Sequence, residues 1–319
     1  MFFTWQAGAG EPIRYSVMIG GKQWSVGHLP GVLACDSSEG VIYHPGLSQV
    51  ISVGPRFNSF GGATRAIIAP NGDYLAFVCG DGYYQSSNGK VNDAYMMRST
   101  DKGLTWSEPE HPWFYDDVSQ HLVVPFIDPA IPGRIYVMGN ESRSRAHAAP
   151  IVYRYSDDNG YSWSDAVPVS PVNDPEHPGG PVHMRGCIMP DGTWLWGTYY
   201  RGEGLHGDTQ YVLRSKDRGK TWTIYPEAHP GGWKHRDWNK FMEGIIIPTG
   251  GKKATLYLRA PGGHIYESRT TDGGNSWSEY RETPGLVHPD APPMVFKLSD
   301  NKTLIAFIHN RYDGSNPNH

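Results

Sequence analysis

Five stretches of the chain share one hydropathy pattern, in which a short apolar run, a tight turn rich in proline or glycine, and a second apolar run follow one another. They are TRAIIAPNGDYLAFVCGD (64–81), LVVPFIDPAIPGRIYVMGN (122–140), MRGCIMPDGTWLWGTYYR (184–201), MEGIIIPTGGKKATLYLR (242–259) and PPMVFKLSDNKTLIAFIH (292–309). Short apolar runs bounded by turn residues predict strands, and two such runs about a tight turn predict a β-hairpin. No segment carries a long helical periodicity, so the pattern predicts an all-β protein.

Between the hairpins a second, sharper pattern recurs. Ser99, Asp101, Gly103, Thr105 and Trp106 return as Ser156, Asp158, Gly160, Ser162 and Trp163, then as Ser215, Asp217, Gly219, Thr221 and Trp222. The fourth copy is Thr270, Asp272, Gly274, Ser276 and Trp277. The aspartates stand 57, 59 and 55 residues apart, a period that fits the blades of a β-propeller. A strand-like run precedes each copy (AYMMRS, IVYRYS, QYVLRS, HIYESR) and a short one follows, so each box joins two antiparallel strands. Within it the aspartate can accept backbone amides, and the glycine supplies the positive φ that closes the loop. A feature present in every blade cannot define a single site, so the box aspartates are read as structural. One hairpin and one box per period give blades of four antiparallel strands.

The composition agrees: 39 glycines, 26 prolines and 13% aromatic residues in 319 suit many short strands joined by tight turns. A net charge of −4 gives no general attraction to nucleic acid. No apolar run approaches the roughly 18 residues of a membrane-spanning helix, and MFFTWQAGAG lacks the charged and apolar parts of a leader. The sequence does not fix a location, and a secreted or periplasmic one is favoured if a leader has been removed. Cys35, Cys79 and Cys187 are widely spaced without a CxxC pair and read as buried thiols. No tight His, Asp or Glu spacing predicts a metal site.

Candidate chemistry comes from counting outward from the hairpin turns. Five residues before Pro70, Pro190 and Pro248 stand Arg65, Arg185 and Glu243; eleven residues after them stand Asp81, Arg201 and Arg259. The two ends of a hairpin lie at one sheet edge, so these six charges are expected at one mouth of the propeller, with Asn140, Glu141 and His309 at the matching ends of other blades. Arginine's planar fork grips a carboxylate bidentately, so a mouth with four arginines suits an acidic ligand.

With its boxes and hairpins the chain resembles the sialidases, or neuraminidases, over about residues 62–319. The resemblance implies a six-bladed propeller, incomplete at its C-terminus if the chain is a piece of a longer protein. Residues 1–61, an N-terminal segment without a box, are otherwise the candidate closing blade. The resemblance also implies an exo-glycosidase that removes a terminal acidic sugar with retention and without a cofactor. Its carboxylate-binding arginines fall on Arg65 and Arg259, with Arg311 as an approximate third. Its glutamate, which partners a nucleophilic tyrosine, falls on Glu243. Its acid/base aspartate is expected near QSSNGK, flanked by Asp81 and Asp93, with Asp81 preferred. Two other readings fit the same residues: a lyase acting on uronic acids, with His183, His206, Tyr199 and Tyr200 near the mouth strands, and a carbohydrate- or protein-binding propeller without catalysis.

Overall fold

The computed structural model describes residues 3–6, 14–19, 22–29, 32–35, 65–79, 94–110, 119–142, 151–169, 173–174, 177–178, 185–201, 208–225, 241–260, 263–288, 292–297 and 304–307, some by backbone alone. These residues form strands and turns without a helix. The chain divides into two compact units, Met1–Ser52 with Ser99–Trp106, and Val53–Arg98 with Ser107–His319. The first holds an antiparallel meander of β1 (Phe3–Gln6), β2 (Arg14–Ile19), β3 (Lys22–Leu29) and β4 (Val32–Cys35).

The second unit is a propeller-like series of antiparallel sheets. Its first blade holds β5 (Arg65–Ile68), β6 (Tyr74–Cys79) and β7 (Ala94–Ser99), and its second β8 (Ser119–Phe126), β9 (Ile135–Ser142), β10 (Ile151–Ser156) and β11 (Val167–Pro168). A short ribbon, β12 (Asn173–Asp174) with β13 (His177–Pro178), precedes the third blade. That blade comprises β14 (Cys187–Ile188), β15 (Trp194–Arg201), β16 (Asp208–Ser215) and β17 (Thr223–Tyr225). The fourth comprises β18 (Met242–Gly250), β19 (Lys253–Arg259), β20 (His264–Thr270) and β21 (Arg281–Val287), and β22 (Met294–Lys297) pairs with β23 (Leu304–Phe307) in a fifth. All five predicted hairpins form, and the runs before the boxes become β7, β10, β16 and β20.

Side chains alternate across each strand, so a blade lying between two others is apolar on both faces. In β15, Trp194 and Trp196 pack toward the second blade, with Phe126, Tyr136, Met138 and Tyr153. Leu195 points the other way, into a cluster with Ile246, Leu256 and Leu258 of the fourth. In β19, Tyr257 then faces Val295 of the fifth blade, together with Ile245 and Ile247. The apolar runs of the sequence are therefore continuous because two interblade cores read alternate residues of one strand.

The boxes of the second, third and fourth blades seal these cores. Asp217 accepts hydrogen bonds from the Thr221 amide (2.8 Å), the Thr221 hydroxyl (2.6 Å) and the Ser215 hydroxyl (2.9 Å), while the Gly219 amide donates to Ser215. The same bonds recur around Asp101, Asp158 and Asp272. Two consecutive residues adopt positive φ in each box, as in Arg218 (58°) and Gly219 (87°). Trp163, Trp222 and Trp277 each join the core shared with the preceding blade, and Trp222 donates its indole N–H to the Gly219 carbonyl. The glycine is seated on the same cores: a Cβ at Gly219 would lie 2.8 Å from Trp194, and one at Gly274 2.4 Å from Leu195.

These bonds also tune the aspartates. The Thr105 hydroxyl and amide and the Ser99 hydroxyl lower the Asp101 carboxyl to about 2. Partial burial pushes the other three upward, but the same kinds of bonds outweigh it, holding Asp272 at about 2 and lowering Asp158 and Asp217.

Candidate active site

The fourth blade brings two of the predicted charges into contact. Met242 pairs with Arg259 and Ile245 with Tyr257, so Glu243 and Gly244 together oppose Leu258 alone. This is a β-bulge, a device that re-aims a side chain. Its first residue takes the left-handed conformation that glycine usually supplies, yet here it is Glu243, with φ of 52°. A left-handed non-glycine residue costs about 1–3 kcal/mol and persists only where its surroundings hold it.

The result is an ion pair between Arg259 Nη1 and Glu243 Oε2 at 2.7 Å. The glutamate side chain is 8% exposed and the arginine 21% exposed. Water competes weakly for a pair so enclosed, and the charge-assisted bond is strong. A carboxylate held beside a partly accessible guanidinium can take up a proton or orient a hydroxyl, while the guanidinium faces an anion.

The remaining candidates are placed less closely together. Arg65 opens β5, partly buried, opposite Phe77 of β6. Arg185 is exposed just before β14, and its carbonyl accepts a 3.4 Å hydrogen bond from the Ile246 amide, which ties it to the fourth blade. Arg201 ends β15 opposite Asp208, with its backbone alone described. Asp81, Asp93, His309 and Arg311 lie outside the described residues, as do His183 and His206. Asn140, Glu141 and Tyr200 are described by their strand positions alone, and Tyr199 is fully buried in β15.

Equal distance from a proline proves not to mean equal depth in a blade. Pro70 and Pro190 fall in five-residue turns between Ile68 and Tyr74 and between Ile188 and Trp194. Pro248 instead lies inside β18, paired with Ala254, and the turn there comes two residues later, between Gly250 and Lys253. Glu243 and Arg259 are therefore adjacent, whereas Arg201 stands six positions beyond Leu195, the partner of Cys187. That places Arg201 about 13 Å along the strand from the level of Arg185.

The pattern of hydrophobic runs concealed one group beside this pair. Gln210 of β16 is fully buried, and its Oε1 accepts the Gly244 amide at 3.0 Å. The only cue in the sequence was glycine following glutamate inside an apolar run, which marks a bulge.

Comparison with known proteins joins this geometry to a family. Residues 122–315 match the model of the BNR repeat-like domain. The chain belongs to this family. Among solved structures, this BNR-repeat chain is similar to a Hadza microbial sialidase (TM-score 0.62, 17% identity, covering 85% of this chain and 57% of that one). It is also similar to a protein of unknown function from Dyadobacter fermentans (0.61, 18%, 77% and 74%). A third likeness is to the NanB sialidase from Streptococcus pneumoniae (0.59, 12%, 82% and 58%). The chain thus spans somewhat over half the length of the two sialidases. At these identities the likeness establishes the sialidase-like BNR β-propeller fold. No curated protein matches the chain.

Proposed function

We propose that the protein is a sialidase-type exo-glycosidase on a six-bladed propeller, hydrolysing a terminal acidic sugar from glycans with retention. The observation that supports this most is the Glu243–Arg259 pair, enclosed at the strand ends and held there by a strained bulge. A bulge that forces a glutamate into a left-handed conformation is a costly way to build an ordinary ion pair, and unlike the left-handed Lys102, Asn159 and Arg218 of the box turns, Glu243 takes it buried within a strand.

In this reading Arg259 and Arg65, with Arg311 as third, grip the sugar carboxylate, and Arg185 and Arg201, at different depths, add with His309 to the charge of the surrounding channel. Asp81 protonates the departing glycosidic oxygen. A tyrosine attacks the anomeric carbon while Glu243 accepts its phenolic proton, because a neutral nucleophile is not repelled by the sugar's carboxylate. Water then cleaves the glycosyl–tyrosine bond with Asp81 as base, and the phenol recovers its proton from Glu243. The chemistry requires no metal or organic cofactor.

Arg259→Lys tests the reading. Lysine keeps the charge and loses the fork, so binding of N-acetylneuraminic acid should weaken by about tenfold or more, or 1.4 kcal/mol per decade. A neutral analogue lacking the carboxylate should bind as before. Equal losses for both ligands in calorimetry would make Arg259 a support of the fold and remove the acidic-sugar assignment.

A further inference from the structure

We infer that Gln210 is a positioning residue that holds Glu243 in its working conformation from the neighbouring blade. The inference rests on the reading of Glu243 as the proton acceptor, and goes beyond it to what keeps that group in place.

Gln210 is a polar side chain buried without exposure between the third and fourth blades. Its Oε1 accepts the Gly244 amide, and its Nε2 donates to the carbonyls of Thr198 and Tyr211, each at 2.7 Å. The amide is thus anchored to two strands of its own blade and reaches across to the second residue of the bulge. Gly244 follows the left-handed Glu243 directly, so the bond fixes the peptide on which that conformation depends.

The space around the bond is closed. A Cβ on Gly244 would lie 2.4 Å from Leu256 and 3.1 Å from the Gln210 amide, and a Cβ on Gly197 would lie 2.4 Å from the Gly244 carbonyl oxygen. Two glycines therefore let β15 and β18 approach until one glutamine spans the gap. An apolar residue of similar length would fill the slot for packing alone. It would leave the Gly244 amide and the Thr198 and Tyr211 carbonyls without this partner, whereas glutamine satisfies all three. Position and chemistry together point past packing to control of the bulge.

The test is Gln210→Met, which preserves length and apolar volume, beside Gln210→Glu, which as the neutral acid that burial favours retains an oxygen for the Gly244 amide and one O–H for the Thr198 or Tyr211 carbonyl. Two readouts are taken below the melting temperature of each variant. One is hydrolysis of the methylumbelliferyl α-glycoside of N-acetylneuraminic acid; the other is the carbon-13 resonance of the Glu243 carboxylate, assigned by its loss in Glu243→Gln. For Gln210→Met, kcat should fall by about tenfold or more while KM changes less than about twofold, the sign of a displaced reacting group rather than lost binding. The Glu243 resonance should move toward that of an exposed glutamate as the pair with Arg259 loosens, and Gln210→Glu should restore much of both. A Gln210→Met protein that melts earlier yet keeps the wild-type kcat and resonance overturns the inference. If Gln210→Met does not fold, the resonance in Gln210→Glu decides: a wild-type position supports the role of the Oε1 bond, and an exposed one overturns it. Should the wild type leave the glycoside intact, the hydrolase reading fails by itself, and the resonance alone judges the positioning.

Discussion

Replacing Asp217 with alanine isolates what a box contributes. The carboxylate gathers three donors, the Thr221 amide and hydroxyl and the Ser215 hydroxyl, at 2.6–2.9 Å. In the variant the exposed Thr221 hydroxyl can turn to water, but the buried Ser215 hydroxyl and the Thr221 amide lose the partner that fixes the loop. A hydrogen bond to a charged group is worth about 1.5–3 kcal/mol net, and rehydration returns part of the sum, so a loss of about 2 kcal/mol is expected. The loop also seats Gly219 on Trp194 and Tyr153 and places Trp222 in the core between the second and third blades, so a loosened turn opens that core. In a chain of this size the change should lower Tm by roughly 4 °C in scanning calorimetry. Affinity of the folded protein for N-acetylneuraminic acid should stay within about twofold, since uncoupled distant sites add to within about 0.5 kcal/mol. An unchanged Tm, or a selective loss of affinity, would refute the structural role of the box.

Gly197→Ala should destabilise by about 1–3 kcal/mol or more, read as a lower denaturant midpoint, because its Cβ would lie 2.4 Å from the Gly244 carbonyl oxygen. A wild-type midpoint would show that the third and fourth blades can separate freely. Acid should weaken the fold in a defined window: Asp101 and Asp272 titrate at about 2 when folded, below an aspartate's ordinary value, and Asp158 and Asp217 are lowered too. Their contribution is present above an unfolded pKa of about 3.9 and is lost as pH falls toward 2, so Asp272→Asn should flatten the fall in urea midpoint over that range. An identical slope in the variant would contradict the assignment. Burial pushes the Cys187 thiol up to about 12, so in a variant with Cys35 and Cys79 replaced by serine it should resist a thiol reagent at neutral pH until denaturant is added.

The blades were legible because their signals are local. Hairpins declare themselves through apolar runs about turn residues, and a box declares itself through five spaced side chains whose bonds stay within the turn. Each strand before a box begins or lies where its run predicted. The site was legible only where local spacing and register coincide. Glu243 and Arg259 meet because a short turn and a bulge together bring them level, while the same offsets from Pro190 leave Arg185 and Arg201 at different depths. Proline marked a turn in the first and third blades and a strand residue in the fourth. Gln210 itself gave no signal, since a polar residue in QYVLRS looks like a solvated strand end until the fourth blade covers it; only the glycine after Glu243 hinted at the bulge it holds. What escapes sequence reading here is contact between blades, which is set by side chains distant in the chain.

Hydrolysis of a terminal acidic sugar with retention can be followed in a proton NMR time course on a sialylated oligosaccharide. The α-anomer of the free acidic sugar should accumulate first and then mutarotate, and Glu243→Gln should slow its release by about a hundredfold or more. First appearance of the β-anomer, an unsaturated product, or binding without any released sugar would contradict retaining hydrolysis.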